Sequence, residues 1–380
     1  MEELLICLTG GATGGHFFPL LSVAKLLKEE CKRRNLNLRL IYIGAKPFKK
    51  ELLEKEGVEV YEIPAGKVRR YFDIKNFLDF LKFPLGLLKA FWLVYKFMPN
   101  VVFSKGGYGS LEVVLSAWFF RIPILIHESD SIPGRSNIIA GKFATRIAVS
   151  FTKSKKYFDP KKTALVGQPI DPDFDKIIPE DFDYRRFGLE KDKKTILVIG
   201  GSQGSMKINE VVIESLDELL HIGQVVHQLG ERLYKEFKDI AYGFILENVP
   251  ARKKDYHPIG FIEHNDLIKL MKISDLIISR AGAGAIFEIS ACGKPSILIP
   301  IREEVSGKHQ IENAYEYADI GAAIVIEEPN LSKGILTSII KRLFNEPETL
   351  ETMKKSALEF SKKEATKYIV QELLILTIGE

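Results

Sequence analysis

The 380-residue sequence has little cysteine and almost no surplus of charge of either sign. Its three cysteines, Cys7, Cys31 and Cys292, lie far apart without metal-ligand spacing, and an odd, sparse set suits a reducing compartment. Cys7 and Cys292 fall in apolar patterns and are expected to be buried structural thiols. Fifty-four Lys and Arg stand against 50 Asp and Glu, a net charge of +4 that is too small to imply a nucleic-acid partner without a basic stripe or recognition motif. No uncharged stretch reaches the roughly 20 residues of a transmembrane helix. No signal-peptide pattern opens the chain, which begins with two glutamates and reaches a glycine-rich loop within about ten residues. These absences leave a cytoplasmic globular protein that is still free to lie on a membrane. With 46% hydrophobic residues, the chain can bury two cores.

What is present is a rhythm. LLICL, LRLIYIG (38–44), VVFSK (101–105), ILIHE (124–128) and RIAVSF (146–151) are short β-rich apolar runs separated by helical patterns such as PLLSVAKLLKEECKRR. After the turn-rich VGQPIDPDF (166–174) it restarts with TILVIGG (195–201), QVVHQL (224–229), YHPIGF (256–261), LIISRAG (276–282), SILIPI (296–301) and AAIVIEE (322–328). Strand, crossover helix, strand is the signature of a parallel sheet, so the fold expected is α/β, with two Rossmann-like doubly wound domains facing across a cleft. We expect an N-terminal domain over 1–165, a second over 166–345, and a C-terminal helical segment over 346–380 for which one course is a return onto the first domain.

Four glycine turns at strand ends carry the chemistry. GGATGGH (10–16) does not fit a dinucleotide-binding GxGxxG and lacks the GK[ST] ending of a P-loop, so neither NAD(P) nor ATP is implied. KGGYGS (105–110) follows VVFS and opens a helix. GGSQGSMKINE (200–210) places a serine, a glutamine and free N–H groups at another helix start, which suits a diphosphate. SRAGAGAIFE (279–288) ends in Glu288, whose ionised carboxylate can accept hydrogen bonds from a vicinal diol such as a ribose. Phosphate cradles need N–H groups, not an imidazole, so His16 calls for a separate role.

These stretches, with HESDSIPGRSN (127–137) and RAGAGAIFEISACGKPSILIP (280–300), resemble the MurG family of glycosyltransferase family 28 over nearly the whole chain. The resemblance implies a GT-B glycosyltransferase without a cofactor. Its N-terminal domain would take an undecaprenyl-linked muramyl-pentapeptide acceptor, and its C-terminal domain UDP-N-acetylglucosamine. It also implies inversion at the anomeric carbon with no bound metal. The DPDFD letters at 171–175 sit in the expected linker and are read as solvated turn acids. Residue by residue, the resemblance puts Gly14, Gly15, His16, Gly106, Gly107 and Tyr108 at the acceptor. Thr13, Gly14, Gly15, Asp130, Ser202, Gln203, Gly204, Ile262, Ala283, Glu288, Gln310 and Asn313 fall to the donor. Where the family usually reads H-E-Q-N, this chain has His127, Glu128, Ser129 and Asp130. The family's G-N-P-V-R appears as Gly167, Gln168, Pro169, Ile170 and Asp171.

An inverting displacement needs a base for the acceptor hydroxyl. His16, whose ordinary pKa is near 6.5, is the first candidate and Glu128 the second. The plainer alternative is a helix-start histidine that only hydrogen-bonds its loop. The segment 68–97 interleaves Arg69, Arg70, Lys75, Lys82, Lys89 and Lys96 with large apolar residues, a composition that fits an anionic membrane interface at the cytoplasmic face. Some of Leu87, Leu88, Phe91 and Tyr95 are expected in the core instead. Two other function classes fit the architecture, a UDP-sugar 2-epimerase and a non-catalytic UDP-sugar binder.

Overall fold

The computed structural model describes residues 3–66, 74–176, 182–201 and 204–379. The chain divides into two compact units, Met1–Pro172 with Lys362–Glu380, and Asp173–Ser361. The first unit carries β1 (Leu4–Thr9), β2 (Leu38–Gly44), β3 (Val58–Glu62), β4 (Val101–Ser104), β5 (Ile124–Glu128), β6 (Arg146–Val149) and β7 (Thr163–Leu165). They pair in the order β3-β2-β1-β4-β5-β6-β7, every pairing parallel. Strands β3 and β7 are additional to the apolar runs. Each lies at a sheet edge, where a half-solvated strand needs no continuous apolar run, and β3 carries Glu59 and Glu62 while β7 has only three residues.

Strands β1, β4 and β5 are buried along their whole length because helices cover both faces of the sheet. Leu4, Ile6 and Leu8 face a layer formed by the helix Gly14–Arg33 and the C-terminal helix Ala365–Ile378. Leu5 and Cys7 point the other way, toward helices Ile74–Phe97, Leu111–Phe119 and Arg135–Phe143. Each such Leu or Ile contributes about 1.5–3 kcal/mol by burial. Cys7 is the buried thiol expected, whereas Cys292 is only half-buried.

The second unit carries β8 (Thr195–Ile199), β9 (Gln224–Gln228), β10 (Tyr256–Ile259), β11 (Leu276–Ser279), β12 (Ser296–Leu298) and β13 (Ala323–Val325). Their order is β10-β9-β8-β11-β12-β13, again wholly parallel, the doubly wound arrangement of nucleotide-binding sheets. Both unit boundaries fall later than the expected 165 and 345. The first unit runs on to Pro172, and helix Pro347–Phe360 stays with the second, where Met353 joins the core and the Phe360 ring packs on Phe287 and Tyr317. Only the segment from Lys362 returns to the first unit, because Ile369, Val370, Leu373 and Leu374 form one apolar stripe that is buried against its sheet. Among the described residues no helix is long and apolar enough to cross a membrane.

Candidate active site

In a doubly wound sheet, ligands sit beyond the carboxyl ends of the strands where the order reverses. In the first unit that point lies between β1 and β4, and the loops after these strands meet backbone to backbone. Gly10 has φ +103°, and a Cβ built on it would stand 2.4 Å from the Gly106 oxygen, so no other residue fits. Thr13 ends the first loop and the helix Gly14–Arg33 starts at once, with no side-chain cap and no acidic residue in its first turn. The N–H groups of Gly14 and Gly15 therefore have no intrahelical acceptor.

His16 stands on that first turn, half-buried, with Nδ1 3.3 Å from Thr13 Oγ1. Its ring lies against the second loop, since a Cβ on Gly107 would be 3.1 Å from His16 Nδ1. Burial in the loops pushes the His16 pKa below its ordinary value and the Lys105 charge adds to this, while Asp130 acts the other way. The imidazole is thus unprotonated at neutral pH. Gly106 N and Gly107 N are already donors, to Ser104 Oγ and Ser136 Oγ, each at 3.2 Å. A ligand at this loop would meet the Ser136 hydroxyl rather than a bare Gly107 N–H. Tyr108 is half-buried beside it.

Glu128, at the end of β5, has both oxygens engaged. Oε1 accepts from Asp130 N at 2.9 Å, and Oε2 from Gly134 N at 3.2 Å and Asn137 Nδ2 at 2.9 Å. Burial raises its pKa above the carboxylate range, and the Asp130 charge raises it further. The carboxylate therefore holds the 128–137 loop in shape. Three residues to which the sequence reading gave no role sit beside it: Lys105, Ser136 and Asn137. Lys105 was legible only as a lysine closing an apolar strand.

In the second unit the loop after β8 turns at Gly204, whose N–H donates to Gly201 O at 3.0 Å. Ser205 then caps the helix Met206–Glu214 by accepting from Ile208 N. Ser202 and Gln203 lie outside the described residues. Arg280, after β11, donates to Ser205 Oγ at 2.6 Å and to Ile299 O at 3.1 Å and pairs with Glu328, so it ties together the loops after β8, β11 and β12. Ala283 is buried at the start of helix Ala283–Ala291, and Glu288 is half-buried further along it. Ile262 is buried after β10. Gln310 accepts from Ile301 N at 3.2 Å, and the fully buried Asn313 donates to Ala281 O at 3.4 Å. Among the described residues, each unit carries part of the expected set in the loops and helices that follow its strands.

The glycosyltransferase family 28 N-terminal domain matches residues 6–149, and the glycosyltransferase family 28 C-terminal domain matches residues 195–371. The chain belongs to glycosyltransferase family 28. It is 35% identical over 356 residues, 93% of this chain and 94% of the relative, to the UDP-N-acetylglucosamine–N-acetylmuramyl-(pentapeptide) pyrophosphoryl-undecaprenol N-acetylglucosamine transferase of Clostridium tetani. Among solved structures it is similar to that of Acinetobacter baumannii MurG, with a TM-score of 0.75 at 23% identity over 98% of this chain and 99% of the other. It is also similar to the UDP-GlcNAc 2-epimerase of Neisseria meningitidis bound to UDP-GlcNAc, with a TM-score of 0.68 at 14% identity over 98% of this chain and all of the other. Both likenesses show the fold, which is the GT-B class.

One departure from the family 28 pattern, Asp171, has a local explanation. Asp171 is no solvated turn acid: it is buried and pairs with Lys25 of the helix Gly14–Arg33 at 2.8 Å. The neighbouring Ile170 O accepts from Thr366 Oγ1 at 2.8 Å. An arginine at 171 would face Lys25, whereas the acid fastens the end of the first unit to the helix Gly14–Arg33, and the Ile170 carbonyl fastens it to the C-terminal helix.

Proposed function

We propose that this family 28 chain transfers N-acetylglucosamine from UDP-N-acetylglucosamine to a muramyl hydroxyl of an undecaprenyl-diphosphate-linked muramyl-pentapeptide, with inversion and without a metal, at the cytoplasmic face of the membrane. The observation that carries the chemistry is the half-buried His16 ring at the junction of two glycine loops, where burial and the Lys105 charge hold its pKa below the ordinary value. With Nδ1–H donated to Thr13 Oγ1, Nε2 keeps a free lone pair. It takes the acceptor hydroxyl's proton as the new oxygen–carbon bond forms and the bond from the anomeric carbon to the diphosphate breaks, and UDP leaves with the electron pair. In the second unit, the N–H groups at the start of helix Met206–Glu214 suit the charge that grows on that diphosphate, and Glu288 suits the ribose diol.

The lipid end of the acceptor fits an apolar face on the first unit. Helix Ile74–Phe97 buries Ala90, Leu93 and Val94 and displays Leu85, Leu88, Trp92 and Tyr95 on the opposite stripe, with Lys89 and Lys96 exposed between them. Leu88 and Tyr95, which could have been core residues, are therefore on the surface. The Phe91 ring packs at 5.1 Å and 4.7 Å on Phe119 and Phe120, which brings the exposed Trp118 and Phe119 of the next helix alongside. Apolar anchors among cations suit an anionic interface. Residues 67–73 lie outside the described residues, as do the side chains of Phe77 and Phe80.

The test is incubation with labelled UDP-N-acetylglucosamine and a lipid-linked muramyl acceptor, with a disaccharide-lipid as the expected product. Solvent deuterium entering the sugar would point to epimerisation instead. Affinity for UDP with no turnover would make the chain a binder.

A further inference from the structure

Lys105 is fully buried, and the chemistry above does not use it. Its Nζ donates to His127 Nδ1 at 2.5 Å, Ser129 Oγ at 2.6 Å and Gln168 Oε1 at 3.4 Å. The tautomer of His127 follows from its other contact. Nε2 lies 2.8 Å from Gly167 O, which can only accept, so Nε2 carries the hydrogen and Nδ1 must accept from the lysine. All three partners of the ammonium are neutral. They come from the end of β5, from the loop after it and from the 167–168 turn near the end of the first unit, while Lys105 itself opens the loop on which His16 rests.

We propose that Lys105 is a positioning residue for His16: its amino group ties the Gly106–Gly107–Tyr108 loop to the end of β5, the loop that follows it and the Gly167–Gln168 turn, fixing the Gly107 surface that carries the imidazole and, where it is protonated, setting a positive charge behind it. The inference rests on the transferase reading only in calling His16 the base. A neutral side chain of the same length would leave His127 Nδ1 without its donor and the Gly107 loop without its tether. The electrostatics agree with this geometry. The ionisable groups that bear on His16 and Lys105 are His127, Glu128 and Asp130 together with each other. Lys105 lowers the pKa of His16 while Asp130 raises it, and burial lowers that of Lys105 itself against the charges of Glu128 and Asp130.

The experiment compares wild type with Lys105→Met by the pH profile of kcat/KM for transfer and by NMR titration of His16, assigned with His16→Ala. At pH 8 the imidazole is unprotonated in both proteins and only its placement counts, so kcat/KM is expected to fall about tenfold or more while affinity for UDP is unchanged. The acid limb and the His16 titration are both expected to move up by about one pH unit, because the opposing positive charge is gone. A folded Lys105→Met protein whose limb and titration stay in place overturns the proposal, since a merely structural lysine would lower yield or melting temperature and leave them alone. Should that variant not fold, Gln168→Ala keeps the charge and loosens its tether: a lower kcat/KM at pH 8 with an unmoved limb supports the proposal, and an unchanged kcat/KM overturns it. Wild-type protein that makes no disaccharide-lipid would sink the transferase reading alone, because the His16 titration needs no substrate and still decides whether Lys105 controls that ring.

Discussion

The His16 ring rests on the backbone of Gly107, so that a Cβ built there would stand 3.1 Å from His16 Nδ1. Gly107 also has φ +86°, a conformation that costs an L-residue about 1–2 kcal/mol. Gly107→Ala should therefore lower the melting temperature modestly and displace the imidazole, cutting transfer about tenfold or more with donor affinity intact. A double-mutant cycle with His16→Ala separates the two effects. Losses that do not add up show that Gly107 acts through the ring, and additive losses would refute that link.

His16→Ala should lower turnover by about two orders of magnitude or more and leave UDP affinity within a few-fold. Because burial and Lys105 hold the wild-type pKa below its ordinary value near 6.5, the acid limb of kcat/KM should lie below pH 6.5. The sign for stability follows. A histidine whose folded pKa is depressed contributes stability that is complete above its unfolded value and is lost as pH falls through the folded one. His127 and His227 shift in the same direction, so His16→Ala should blunt acid unfolding only in part, as read from urea midpoints between pH 7 and 4.

Glu128→Gln distinguishes a loop fastener from a base. Both carboxylate oxygens accept hydrogen bonds, and a glutamine must turn a donor toward either Asp130 N or the pair Gly134 N and Asn137 Nδ2. The variant should weaken acceptor binding by about 1–3 kcal/mol and retain the wild-type acid limb. Loss of turnover as deep as in His16→Ala would return Glu128 to the role of base.

Glu288→Ala should weaken UDP binding by about 1.5–3 kcal/mol, the range for a hydrogen bond to a charged group. A 2′-deoxyuridine donor should lose much less. Calorimetry with the two nucleotides decides the matter, since equal losses mean that the carboxylate does not read the ribose.

Much of this arrangement is legible in the sequence, and the parts that are not share a cause. LLICLT and ILIHE read as strands because a parallel strand covered on both faces must be apolar throughout, and the glycine turns read as a ligand site because they follow such strands. The VEVYE of β3 escapes because an edge strand has solvent on one side. Asp171 escapes because its partner, Lys25, is 146 residues away, so a buried ion pair looks like a charged turn. Lys105 was within a quoted run, yet its meaning depends on where His127, Ser129 and Gln168 point. Local pattern reports the backbone, whereas polar partners chosen across the fold leave no trace in local spacing.

The exposed stripe on helix Ile74–Phe97 gives the last prediction. Leu88 is 69% exposed, Trp92 56%, Tyr95 63% and the adjacent Trp118 54%, whereas Leu93 on the same helix is 3% exposed. If the stripe enters the interface and Lys89 and Lys96 meet headgroups, vesicle binding should rise with anionic lipid and fall with salt, since exposed charges are screened beyond about 10 Å at 0.1 M. Trp92→Ser combined with Trp118→Ser should cut vesicle binding about tenfold or more, because each variant removes a large apolar indole from the contact, and should spare UDP affinity, since Glu288 and the helix start at Met206 proposed for the uridine diphosphate lie in the second unit. Leu93→Ser serves as the contrast and should unfold the protein. Folded double variants that bind anionic vesicles as well as wild type would move the membrane contact to another face.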